Sequence, residues 1–187
     1  FPVLRLEYEV FLKETGHITP ADLDDTPLSY PRMPACGVSW EDATACCRWL
    51  ASASGKPVRL PTADEWKKAA RGGLAGKKFS WGDENPAGRC CFARSAEAGP
   101  EPVGNYPPNG YGLHDLTGLI WEWLQDLYVD IADDDPVNCP TGLPADVNRV
   151  LMGGSFMTPN TDPLWNAYRH EDPPDLRHRC LGFRVAL

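Results

Sequence analysis

The sequence predicts an α+β domain, two main helices packed on a small twisted antiparallel sheet with much irregular loop, and three observations carry that reading. Two capping boxes, Ser39-x-x-Asp42 and Thr62-x-x-Glu65, each open a helix-favouring run that a glycine closes, Gly55 and Gly72 respectively. Nineteen prolines and seventeen glycines break the rest of the chain into short pieces, while seven tryptophans supply the aromatic anchors that a disordered chain lacks. Near the end, two apolar, glycine-rich pieces, RVLMGGSF and LGFRVAL, enclose a segment with neither helical nor strand periodicity.

Taken in order, LEYEVFLKET over residues 6–15 favours helix and is stopped by Gly16. From His17 to Gly37 prolines and aspartates dominate, and the spacing predicts loop. The Ser39 box, with Asp in place of the usual Glu or Gln, starts a helix to about Ala53, in which Ala43, Cys46, Cys47 and Leu50 fall on one stripe at i, i+3, i+4, i+7. Val58–Leu60 is a short strand candidate, and the Thr62 box starts a helix that carries Trp66 and ends at Gly72. Residues 73–148 alternate turn signals, such as WGDENPAG and YPPNGYG, with short apolar pieces. Gly153, Gly154 and Gly182 suit close backbone crossings, whereas Pro159, Pro163, Pro173 and Pro174 forbid a regular ladder between them. A long irregular loop in a compact domain usually has a functional reason.

With 187 residues, 42% of them hydrophobic, the chain reads as one domain over 1–187. It contains no apolar run of about eighteen residues, so no membrane span is expected, and no basic-then-apolar segment opens it, which favours a cytoplasmic over a cell-surface protein. A net charge of −8 opposes nucleic-acid binding, whose affinity comes from Lys and Arg on phosphates. The seven cysteines are odd in number and contain no C-x-x-C pair, which excludes a zinc ribbon or thioredoxin-like site. Cys46 and Cys47 read as core thiols, and Cys90, Cys91 and Cys139 take no role from the sequence.

The ordered pieces GVSWEDATACCRWLA, KPVRLPTADEWKKAARGG, FSWGDE, YPPNGYGLHDLTGLIWEWLQD, RVLMGGSF and LGFRVAL resemble the sulfatase-modifying, formylglycine-generating-enzyme family over roughly residues 5–187. The resemblance implies an elaborated C-type lectin fold. In that family two cysteines shortly after GGSF bind copper, and thiolate is what soft Cu(I) selects. Those places fall at Thr158 and Pro163, which carry no sulfur, and Cys180 is the single thiol of the segment. The expectation is therefore no copper and no enzyme, with Cys180 an incidental loop residue.

Residues 164–184 in turn resemble the variable region of target proteins made by diversity-generating retroelements. Leu164, Ala167, Arg169, Pro174, Asp175, Arg177, Gly182, Phe183 and Arg184 match the framework of that family. In such a region an AAC codon randomised at its adenines becomes NNC, which encodes Tyr, His, Asp, Leu, Arg and Cys but never Trp, Met, Lys, Glu or Gln. Positions 168, 170, 172, 176, 178, 179 and 180 all hold residues of the permitted set, whereas Met157, Trp165 and Glu171 do not. The expected ligand-binding residues, within about 157–180, are Thr158, Asn160, Thr161, Asp162, Trp165, Asn166, Tyr168, His170, Asp172, Leu176, His178, Arg179 and Cys180. Trp165, Tyr168 and Leu176 among Arg and His have the composition of a binding hot spot. His170 and His178 alone read as loop residues rather than metal ligands.

The family also implies one structural calcium ion, carried over onto Asp115, Gly118, Ile120 and Glu122 as carboxylate and carbonyl donors. Leu119 stands where the family has Asn, and a second calcium site is expected to be missing because Cys91 replaces another Asn. Trp40, Trp66, Trp81, Trp121 and Trp123 fall inside the fold motifs and are expected in the core. The sequence thus points to a non-catalytic protein presenting a hypervariable surface to a protein or other macromolecule. Two alternatives stay open: a copper oxidase or related oxygenase of the family, and a structural interaction domain of a larger signalling or defence protein.

Overall fold

A computed structural model describes residues 1–24, 32–129 and 147–187, and Cys139 lies outside them. Four helices come first: α1 Arg5–Thr15, the short α2 Ala21–Asp24, α3 Trp40–Ser54 and α4 Ala63–Arg71. Both capping boxes close. The Asp42 amide donates to Ser39 Oγ at 3.1 Å while the Ser39 amide donates to Asp42 Oδ2 at 2.9 Å, and Thr62 and Glu65 exchange the same pair at 3.3 and 2.9 Å. Left-handed glycines at 16, 55 and 72 end α1, α3 and α4. The stripe on α3 is buried at Ala43, Cys46 and Cys47, and Leu50 packs at its edge.

The sheet follows, with β1 Trp121–Leu127, β2 Arg149–Met152, β3 His170–Asp172 and β4 Leu181–Gly182 in the order β3-β2-β1-β4. β1 and β3 flank β2 in antiparallel register, with Trp123 opposite Leu151 and Leu151 opposite His170. β4 runs parallel to β1, Trp121 opposite Leu181, so the sheet is mixed and not wholly antiparallel as expected. Val58–Leu60 forms no strand. Pro57 and Pro61 bracket it and leave room for one bridge, between Arg59 and Ala186.

The core lies between this sheet and the helices and gathers Tyr8, Phe11, Ile120, Trp123, Phe156 and Phe183. Trp66 and Trp123 are fully buried, but Trp40 and Trp81 are only half-buried, contrary to expectation. Trp40 instead lies under the Arg149 guanidinium, 3.9 Å away, and donates to the Leu124 carbonyl. Among the described residues no helix is long and apolar enough to cross a membrane.

Candidate ligand-binding face

Between the close-packed GGSF turn and β4, side chains tied to the body alternate with side chains left at the surface. Gly154 has φ +72°, and a Cβ there would meet Leu164 Cδ2 at 2.5 Å, so no other residue fits the turn without strain. A short 3₁₀ turn, Asp162–Leu164, then drives Leu164 into a small cluster with Phe79 and Cys90. The Arg169 guanidinium lies 5.2 Å over the Tyr128 ring, and the Pro174 carbonyl accepts the Glu41 amide at 3.3 Å. Arg177 donates through Nε and a terminal nitrogen to Asp42, at 2.7 and 2.8 Å. Past the loop, a Cβ on Gly182 would meet the Ala35 carbonyl and Ile120 Cδ1 at 2.5 Å, and Phe183 is fully buried. Of the framework matches, Ala167, Asp175 and Arg177 are exposed, Arg177 while it is paired with Asp42.

Asp42 joins these layers. Its carboxylate is buried, accepts from Arg177, lies 2.8 Å from His17 Nε2, and still caps α3 through the Ser39 amide. Burial alone raises the carboxyl, but the Arg177, His17 and Ser39 hydrogen bonds outweigh it and hold Asp42 at about 2. The loop is therefore docked onto the first turn of α3 by a bidentate ion pair.

Of the expected contact residues, Asn160, Thr161, Asp162, Tyr168, Leu176 and His178 are exposed, while Trp165, His170, Asp172 and Arg179 are half-buried. Thr158, Asn166 and Cys180 are instead interior, at 5%, 3% and 8% exposure. Thr158 Oγ1 accepts the Ser155 amide at 2.9 Å and holds the GGSF turn shut. Asn166 hydrogen-bonds the Lys77 carbonyl and Ser80 Oγ, pinning the loop to the 77–80 segment. Cys180 joins the main core cluster. These three fasten the loop from beneath, a role their polar or ambiguous chemistry concealed in the sequence.

Trp121 was expected only as core, yet it floors this face: its ring centroid is 5.1 Å from that of His170 and 6.1 Å from that of Tyr168. Lys78 Nζ sits 4.7 Å over Trp165, and Arg179 donates to the Ala96 carbonyl at 3.0 Å. His170 Nε2 is 3.6 Å from Asp172. Desolvation raises the Asp172 carboxyl, and the neighbouring His170 and His178 oppose it. The face thus mixes an aromatic floor, exposed apolar side chains and both charge signs.

Two of the four residues carried over for calcium, Glu122 and Asp115, meet a cation of the chain itself, Asp115 through its carbonyl. Arg184 donates to Glu122 Oε2 and Oε1 at 2.6 and 2.7 Å, and to the carbonyls of His114 and Asp115 at 3.1 and 3.5 Å. Glu122 Oε2 also accepts from Trp66 Nε1 at 2.6 Å, and Asp115 Oδ2 accepts the Gly104 amide at 2.7 Å. The Gly118 carbonyl accepts the Ile120 amide. Calcium needs six to eight oxygens, and here it would lie against a guanidinium that already neutralises Glu122. Of these four residues, Glu122 is the one whose carboxylate oxygens already accept from Arg184. Cys91, at the place where the family's second calcium site is expected to be missing, is buried in the core.

The sulfatase-modifying factor enzyme 1-like domain family matches residues 1–187. A formylglycine-generating enzyme of Streptomyces coelicolor is 41% identical over 174 residues, covering 83% of this chain and 53% of that protein. An inactive C-alpha-formylglycine-generating enzyme 2 of Bos taurus is 37% identical over 170 residues, covering 82% and 50%. The chain thus spans about half the length of these relatives. Among solved structures, Treponema denticola variable protein 1 superposes with a TM-score of 0.80 at 23% identity, covering 98% of this chain and 81% of that one, a likeness of fold. The fold is the formylglycine-generating-enzyme type of C-type lectin fold, and its known members include catalytic and non-catalytic proteins.

Proposed function

This chain belongs to the sulfatase-modifying factor enzyme 1-like family, and on that premise we propose that it is a non-catalytic member whose segment 157–180 binds a protein or other macromolecule and is diversified by a retroelement. The observation that carries the reading is the alternation along the loop. Leu164, Arg169, Arg177, Gly182 and Phe183, residues of the framework, are each packed or bonded to the body. Tyr168, Leu176 and His178, at intervening places, face solvent. Such an arrangement lets the second set change without disturbing the first. Copper is not part of the proposal, because Thr158 is occupied in closing a turn and Pro163 offers no donor.

The test is to read the encoding locus for a reverse transcriptase and a near-copy of the bases that encode the end of the chain, and to compare isolates. Loop differences confined to positions such as 168, 170, 172, 176 and 178, in an otherwise near-identical body, are the expected result. A loop fixed among isolates would favour a structural interaction domain. The likeness to a formylglycine-generating enzyme keeps the oxidase as the second reading, and copper titration with a cysteine-containing sulfatase peptide separates it. Turnover above the no-enzyme control would refute the non-catalytic assignment.

A further inference from the structure

We propose that the end of α4 and the turn after it form a basic, apolar-tipped surface that lies on an anionic lipid bilayer. From Trp66 to Gly82 the chain carries Lys67, Lys68, Arg71, Lys77 and Lys78, five of its 18 cationic residues and none of its 26 acids. Helical spacing turns the first of these outward: Trp66 and Ala70 pack with Leu124, Val150 and Met152 of the sheet, while Lys68 and Arg71 are exposed and Lys67 is half-buried. Gly72, at φ 53°, ends the helix, and the Leu74 amide donates to the Arg71 carbonyl at 2.8 Å, so the chain turns and residues 73–78 are all exposed. Among the described residues the one ion pair of this stretch joins Lys77 to Asp83, at 2.8 Å. The turn is fastened to the body. Asn109 Nδ2 donates to the Ala69 and Ala70 carbonyls at 2.6 and 3.2 Å, and a Cβ on Gly73 would lie 3.8 Å from the Tyr111 ring. Leu74 and Tyr111, 39% and 55% exposed, are both presented there.

The mixture selects the partner. Cations alone suit any polyanion, but here an exposed leucine stands three positions after Arg71 and three before Lys77, with a tyrosine beside the turn. A phosphodiester backbone or an acidic peptide leaves that apolar area wet, whereas the boundary between headgroups and acyl chains covers it. A tyrosine ring, apolar in body and polar at its tip, suits the same depth. The Lys and Arg heads then meet anionic headgroups, whose surface potential attracts basic segments close to the membrane. Because all 26 acids lie outside this stretch, the remainder of the chain is on balance repelled by that potential, and the molecule's own field turns this side toward the bilayer. Lys78, 4.7 Å over Trp165, joins the surface to the edge of the ligand-binding face, so a docked molecule holds that face beside the bilayer. The inference stands whether or not the loop is diversified.

The experiment mixes the full chain with phosphatidylcholine vesicles, with and without about 30% phosphatidylserine, and measures the bound fraction by sedimentation at about 0.05 M and about 0.3 M salt. Binding to the anionic vesicles is expected to be at least about tenfold stronger than to the neutral ones, and to fall about tenfold at the higher salt. Lys68→Glu, Arg71→Glu and Lys77→Glu together should weaken it at least about tenfold, whereas the same reversal at exposed Lys13, Arg48 and Lys56 should weaken it less than about threefold. Leu74→Ser should weaken it about threefold at an unchanged melting temperature, and with the salt series it decides the matter should the first triple variant fail to fold. Labelled polyglutamate and a labelled DNA duplex serve as the other polyanions. Equal binding to both vesicles, an equal loss in the two triple variants, no effect of Leu74→Ser, or tighter binding of either polyanion than of the anionic vesicles overturns the proposal.

Discussion

At the scale of single residues, Asp42 shows how one side chain does work that sequence patterns assign to several. The capping-box spacing revealed its bond to the Ser39 amide, but its pairing with Arg177, 135 positions away, required the fold. Because its carboxyl is held at about 2 in the folded protein, below the unfolded value of about 3.9, its contribution is fully present above about pH 4 and is lost as pH falls toward 2. That contribution is on the order of 2 kcal/mol. Asp42→Ala also strands Arg177 and opens the cap, so a loss of about 3 kcal/mol is expected, lowering the melting temperature by roughly 6–12 °C. Thermal unfolding of wild type and variant at pH 7 and pH 3 checks it: the gap should narrow at the lower pH, and a gap that widens there contradicts the assignment. Thr158 and Asn166 teach the opposite lesson. Both are polar residues in a polar loop and read as surface, and only the buried acceptors and donors beneath them reveal them as fasteners.

At the scale of elements, the helices were legible because their ends carry local chemistry: the caps at Ser39 and Thr62 and the left-handed glycines fix α3 and α4 to within a residue or two. Strands were not, since β3 and β4 span only three and two residues and owe their existence to partners far along the chain. The parallel docking of β4 on β1 follows from where the loop returns, which no local pattern encodes. The loop itself yields a prediction. Replacing Tyr168, Leu176 and His178 together should change stability by under about 0.5 kcal/mol per site, as exposed positions do, whereas Phe183→Ala, which empties a fully buried ring position, should cost about 3–5 kcal/mol. Chemical denaturation of the two variants beside wild type measures the contrast. If the triple variant unfolds while the Phe183 variant survives, the exposed side chains are packing groups and the binding face is misassigned.

At the scale of the whole molecule, Arg184 connects several parts that are far apart in the sequence. It lies 62 positions from Glu122, and through that carboxylate it reaches Trp66 on α4 while its terminal nitrogen holds the carbonyls of His114 and Asp115. The segments so joined are the helical layer, the irregular 104–118 stretch, the first sheet strand and the end of the chain. A divalent ion could perform the same joining, and the order of motifs in the sequence suggested one. Yet the two partners are 8% and 1% exposed as side chains, so the charge on Glu122 is compensated within the interior without an ion. Breaking such a pair by removing one partner leaves a buried charge unmet, and Arg184→Met should therefore cost about 3–5 kcal/mol, on the order of 10 °C in melting temperature. A ligand bound only to the folded state raises stability by mass action, so an ion that held these segments would make melting sensitive to chelation. The expected outcome is an unchanged melting curve in excess chelator together with the large loss in Arg184→Met. Should chelation lower the melting temperature by several degrees while Arg184→Met is nearly neutral, a bound cation and not the guanidinium joins the layers.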